Sequence, residues 1–116
     1  MKWFITFLFL ANSAMAGELE ECVRLAPKYN AKIEVRMRDG TRCDLLTPTH
    51  AIEVDYARKW AEGIGQALHY ADLTGKKPGV VLLMTRKLTD WYAAVRISKL
   101  CGKYGVDLYL EMLPEE

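Results

Sequence analysis

The chain has 116 residues, 51% of them hydrophobic, 10% aromatic and 27% charged, with a formal net charge of +1. That is apolar material for one small domain and too little length for two, and the composition is unlike that of a disordered or collagen-like chain. No apolar stretch approaches the roughly 20 residues of a membrane span, and a near-neutral charge announces no polyanion partner, although it can conceal a local basic patch.

At the start, Lys2 precedes an apolar run from Trp3 to Ala11, broken only by Thr6, and Ala14-Met15-Ala16 stands ahead of Gly17, which is the layout of a secretory signal peptide. This predicts cleavage after Ala16, residues 17–116 as a single domain, and a secreted or periplasmic protein with no membrane attachment once the leader is gone. Cys22, Cys43 and Cys101 lie beyond the cleavage point. In an oxidising compartment one pair can close a disulfide, and small buried hydrophobes are the equal alternative. Their spacing is not that of a zinc site, because there is no Cys-x-x-Cys and neither His50 nor His69 is near a cysteine in sequence.

Glu18 to Leu25 predicts a short helix with Leu19, Cys22, Val23 and Ala26 on its apolar side, its acids on the other, and Pro27 as its stop. Ala31 to Met37 alternates and Asp39-Gly40 follows, a hairpin signal leading into a second strand over Thr41 to Leu46. A third strand starts at His50 and runs through Val54. From Tyr56 to Leu73 the period becomes helical, with Trp60, Ile64, Ala67, Leu68 and Ala71 on one face. Val80 to Met84 reads as a central strand covered on both faces. Thr89-Asp90 then caps a helix through Leu100, ended by Gly102, and Val106 to Met112 alternates as a last strand. The order is αβββαβαβ, an α/β fold with a mixed central sheet flanked by helices.

Two acids interrupt apolar strands that the meander makes neighbours: Asp44 and Glu53. Side by side in a buried setting they repel unless a cation lies between them, and a hard divalent ion with waters and phosphate oxygens suits such a pair. The competing reading pairs them with Arg42 or Arg58, or turns them to solvent. In the following helix Lys59, Gly63, Gln66 and Tyr70 share one narrow face, a polar stripe that begins a few residues beyond Glu53 and is able to track a phosphate backbone. A solvated helix face gives the same pattern.

Asp44, then Glu53-Val54-Asp55, then Gln66-Ala67-Leu68-His69-Tyr70, in this order and within these elements, resemble the PD-(D/E)XK nuclease superfamily, in particular its exonuclease and Holliday-junction-resolvase-like branches. The resemblance spans about residues 18–84. It implies a restriction-endonuclease-like core and a metal-dependent nuclease that hydrolyses nucleic-acid phosphodiester bonds, DNA in preference to RNA. Asp44, Glu53 and the Val54 carbonyl would hold Mg2+ or Mn2+, with Glu18, Glu20 or Glu21 completing the site, and Gln66 and Tyr70 would position the substrate. One residue departs from the pattern: Asp55 stands where the family carries a catalytic lysine. Lys59 is the best candidate to replace it, with Arg58 less well directed. Without that replacement the chain becomes a non-catalytic module binding nucleic acid or a protein partner.

Lys28, Lys32, Arg36, Arg38 and Arg42 are spread over the first strands, with Lys32, Glu34, Arg36 and Arg38 on one face by alternation. This is either a phosphate-contacting face or an exposed face kept soluble. Trp91 and Tyr92 are able to stack on bases or to pack at the rim of the core. No Gly-x-Ser-x-Gly, Walker loop or dinucleotide fingerprint occurs.

Overall fold

A central sheet of five strands in the order β1-β2-β3-β4-β5 carries the chain, β1 to β3 antiparallel and β3 to β5 parallel. The computed structural model describes residues 17–115, so the leader expected at residues 1–16 lies outside the described residues. The elements are α1 (residues 17–29 as described), β1 (Lys32–Arg36), β2 (Arg42–Leu46), β3 (His50–Tyr56), a 3-10 turn (Ala57–Lys59), α2 (Trp60–Thr74), β4 (Lys77–Met84), α3 (Leu88–Tyr104) and β5 (Asp107–Met112). The described order is αβββαβαβ, an α/β fold with a mixed sheet, as the sequence periods predict.

Side-chain alternation on the strands splits the core. Cys22 and Leu25 of α1 pack with Leu45, Ile52, Val54, Val81 and Leu83 on one side. Ile64 and Ala67 of α2, with Ala94, Ile97 and Cys101 of α3, cover Val80, Leu82 and Met84 on the other. A third cluster joins Met37, Cys43, Ala51 and Tyr70. All three cysteines are buried free thiols, one in each cluster.

Several boundaries differ from expectation for identifiable reasons. Pro27 does not stop α1, which continues to residue 29 and ends at Asn30 in the left-handed region (φ 52°), where the Ala31 N–H closes on the Ala26 carbonyl at 2.9 Å. The buried face of α1 is Glu18, Cys22 and Leu25, while Leu19 and Val23 are exposed, so the helix is rolled relative to the expected face and carries Glu18 inward. Tyr56 extends β3 because it still pairs with Leu83 of β4, which delays α2 to Trp60. The buried face of α2 is Gly63, Ile64, Ala67 and Tyr70, with Leu68 exposed; of the expected polar stripe, Gly63 and Tyr70 therefore pack inward and Gln66 stays exposed. Helix α3 passes through Gly102 and ends at Gly105, whose φ of 70° suits a residue without a side chain. Asp90 does not cap α3: its Oδ2 accepts from the N–H and the hydroxyl of Thr85, both at 2.7 Å, and Lys87 holds the N-cap position.

Candidate functional site

The β2-β3 ladder pairs Leu45 with Ile52 and Leu46 with Ala51, and no pairing is recorded beyond Leu45. At that fork the side chains of Asp44 and Glu53 take over from the ladder. The Val54 N–H donates to Asp44 Oδ2 at 2.9 Å and the Asp44 N–H donates to Glu53 Oε1 at 3.4 Å. The expected neighbours are thus side by side, Asp44 being 7% and Glu53 4% exposed. Burial raises the Asp44 pKa, with the Val54 N–H opposing. Glu53 is raised well above the carboxylate range by burial first, then by the charge and hydrogen bonding of Asp44. Water is excluded and no cation neutralises the pair, so a proton is the cheapest counter-charge.

Two further acids belong to the cluster. Asp55, two residues along β3 from Glu53 and so on the same face by alternation, is 4% exposed, and its Oδ2 is buried with no hydrogen-bond partner. Burial, then Glu18, Asp44 and Glu62, push its pKa up to about 8, against a lowering contribution from Lys59. The carboxylate fits only because residue 63 is glycine: a Cβ there would collide with Asp55 Oδ2. Glu18 comes in from α1, 8% exposed and raised by burial and by Asp44. Four buried carboxyl groups from α1, β2 and β3 therefore act on one another's charge, Glu18 with Asp44 and Asp55, Asp44 with Glu53, and Glu53 with Asp55.

Lys59, at the end of the 3-10 turn, brings its ammonium within 3.8 Å of Glu18 Oε1 and lowers the pKa of both Glu18 and Asp55. Arg58 is exposed, its guanidinium 4.6 Å from the centre of the Tyr56 ring. Val54 contributes its N–H to Asp44 and its side chain to the α1 cluster.

The remaining candidates are placed elsewhere. Gln66 is exposed on α2, whereas Tyr70 is buried against Met37, Cys43 and Ala51, its phenol raised by burial and then by Glu53. His50 is held between Thr49 and Asp107 at 2.7 and 2.6 Å, and His69 pairs with Asp39 at 2.7 Å. Lys32, Arg36 and Arg38 are exposed near the β1 edge, but Glu34 leaves their face: it is half-buried with a φ of 47°, 3.9 Å from Arg42, and its charge reaches Asp44. Trp91 and Tyr92 are about half exposed on α3.

Sequence reasoning did not place Asp55 in the acid group, although its i, i+2 spacing from Glu53 signals a shared face. The choice of Glu18 over Glu20 and Glu21 follows from its i, i+4, i+7 relation to Cys22 and Leu25. The donors suit a hard cation, being carboxylate oxygens with one orphaned oxygen among them. Among the described residues no group of three or more His, Cys, Asp or Glu is arranged to hold a metal ion; magnesium, which keeps several waters, needs only one or two carboxylates. No family model, curated protein or solved structure matches this chain.

Proposed function

We propose that the chain is a divalent-metal-dependent nuclease built on a restriction-endonuclease-like core, acting on nucleic-acid phosphodiester bonds, DNA before RNA, after export as a secreted or periplasmic protein. The observation that carries this reading is the orphaned Asp55 Oδ2 among four buried carboxyls, with Lys59 the cation whose charge acts on it. A fold does not tolerate such charge for packing alone.

Asp44 and Glu53 would hold Mg2+ or Mn2+, and the ion, when bound, would supply positive charge at a phosphate oxygen and acidify bound water. The protein's own contribution is definite. The Val54 N–H fixes the Asp44 carboxylate, and Gly63 leaves room for Asp55. Lys59 has a side chain 31% exposed, buried enough to hold its direction and open enough to meet a phosphate or orient a water. Gln66 is free to contact the strand, and Tyr70 acts through packing, by fixing α2 against the sheet.

The test is cleavage of plasmid and oligonucleotide substrates by the purified chain with Mg2+, beside Asp44→Ala and Glu53→Ala. Cutting that needs the metal and is lost in both variants supports the reading. Asp55 in the place of the family's lysine favours a second one, a non-catalytic module of the same fold; nucleic-acid binding without cutting, indifferent to chelator, selects it.

A further inference from the structure

The carboxyl ends of β3 and β4 open onto a cleft of about 280 Å3, lined among others by Tyr56, Arg58, Leu83, Lys87, Thr89 and Leu113. Tyr56 and Leu83 put it on the α1 side of the sheet, where Glu21 and Glu18 act on Tyr56 and Arg58 acts on Glu18, yet its own lining carries more positive than negative charge. Arg58 and Lys87 are both exposed and neither has an acidic partner within ion-pair distance among the described residues. The one acid on the wall, Asp90, spends its Oδ2 on the N–H and hydroxyl of Thr85.

The walls are of two kinds. Arg58 lies over the Tyr56 ring, which gives a flat surface of guanidinium on aromatic, and Leu83 and Leu113 add apolar area. Lys87 and the hydroxyl-bearing Thr89 form the polar side. Cations without counter-ions beside a flat stacking surface, in a space near the lower end of ligand clefts at about 300 Å3, match a phosphate group joined to a planar base.

We infer that this cleft binds the terminal phosphate monoester of a nucleic-acid strand, with Lys87 and Arg58 holding the phosphate and the Arg58-Tyr56 stack flanking the last nucleoside. The strand as the source of that phosphate rests on the nuclease reading; the phosphate site itself does not. A cation bound at the neighbouring carboxyl group would add positive charge and strengthen phosphate binding.

The experiment titrates inorganic phosphate, a nucleoside monophosphate, the matching nucleoside, and oligonucleotides ending in phosphate or hydroxyl at either end into the full chain, with and without Mg2+, following amide shifts of residues 56–58 and 85–90. Monophosphate should bind and the nucleoside should not. Arg58→Ala with Lys87→Ala, both at exposed positions, should weaken it at least about tenfold. Phosphate-ended oligonucleotides should outbind hydroxyl-ended ones. Absence of phosphate binding at millimolar concentration, or binding indifferent to the Arg58 and Lys87 substitutions, overturns the site. If monophosphate binds as stated but no substrate is cut, the cleft stands and the nuclease reading falls; cutting by a chain that ignores phosphate gives the reverse.

Discussion

Glu111 of β5 and Asp55 of β3 are both carboxylates buried on the same sheet, 9% and 4% exposed, and they have opposite fates. Although burial pushes Glu111 up, hydrogen bonds from Lys28 and Tyr29 and the nearby lysine charge hold its pKa below the usual value. Asp55 is buried more deeply, has no donor, and its neighbours are acids, so burial first and then their charge push it up to about 8. What separates a structural acid from one held in reserve is the company it keeps, and β3 shows the same contrast along its length. At its start His50 is fully engaged, its ring with Thr49 and Asp107 and its N–H with the Thr47 hydroxyl; toward its end Asp55 is not.

The strongest test of this contrast is activity. Asp44→Ala and Glu53→Ala should reduce metal-dependent cutting to background, and Glu111→Gln should leave it near wild type; loss in all three would erase the distinction. Lys59→Met should cost cutting while Mg2+ affinity holds or improves, because a competing cation has gone, which isothermal titration would show.

Next comes stability against pH, where the two acids have opposite signs. Asp55 has a folded value above its unfolded one, so the folded state holds an extra proton: its contribution is whole below about pH 4 and is lost as pH rises toward about 8. Glu111, held low, contributes above its ordinary value and loses that as acid protonates it. Urea melts should show wild type weakening between pH 5 and 8, by up to about 1.4 kcal/mol per pH unit for one such group, and Asp55→Asn flattening the slope. Equal slopes in the two proteins would count against a raised pKa at Asp55. At pH 8 Asp55→Asn should gain about 1–3 kcal/mol, and Glu111→Gln should lose about 1 kcal/mol, Lys28 being well exposed. Mg2+ at about 100 times its Kd should raise wild-type stability by about 2.7 kcal/mol, and Glu53→Gln should not respond.

The smallest effects separate two glycines of α2. Gly63→Ala should cost about 1–3 kcal/mol by driving a methyl group into Asp55. Gly65→Ala, with open space around it, should gain about 1 kcal/mol in thermal melts from helix propensity.

The element order was legible because periods of two and 3.6 alternate cleanly along the chain, and the acid pair because Asp44 and Glu53 are polar residues in apolar strands. The roll of the helices was not. In α1, Leu19 and Val23 look as suitable for burial as Cys22 and Leu25, and only packing against β2 and β3 decides which side, and hence which glutamate, turns inward. The same holds for α2, where the small Gly63 lets the helix approach the sheet and carries Tyr70 into the core. Where β3 ends was hidden as well, because Tyr56 follows a charged residue and its pairing with Leu83 is a long-range contact.

The distribution of the thiols sets an order of events for folding in the presence of an oxidant. Cys22, Cys43 and Cys101 each end in a different apolar cluster, so the native state offers an oxidant nothing to couple, and the unfolded chain offers three mispairings. Collapse must outrun oxidation. Refolding yield should therefore fall under oxidised glutathione and recover when reductant is present, while the native protein ignores both.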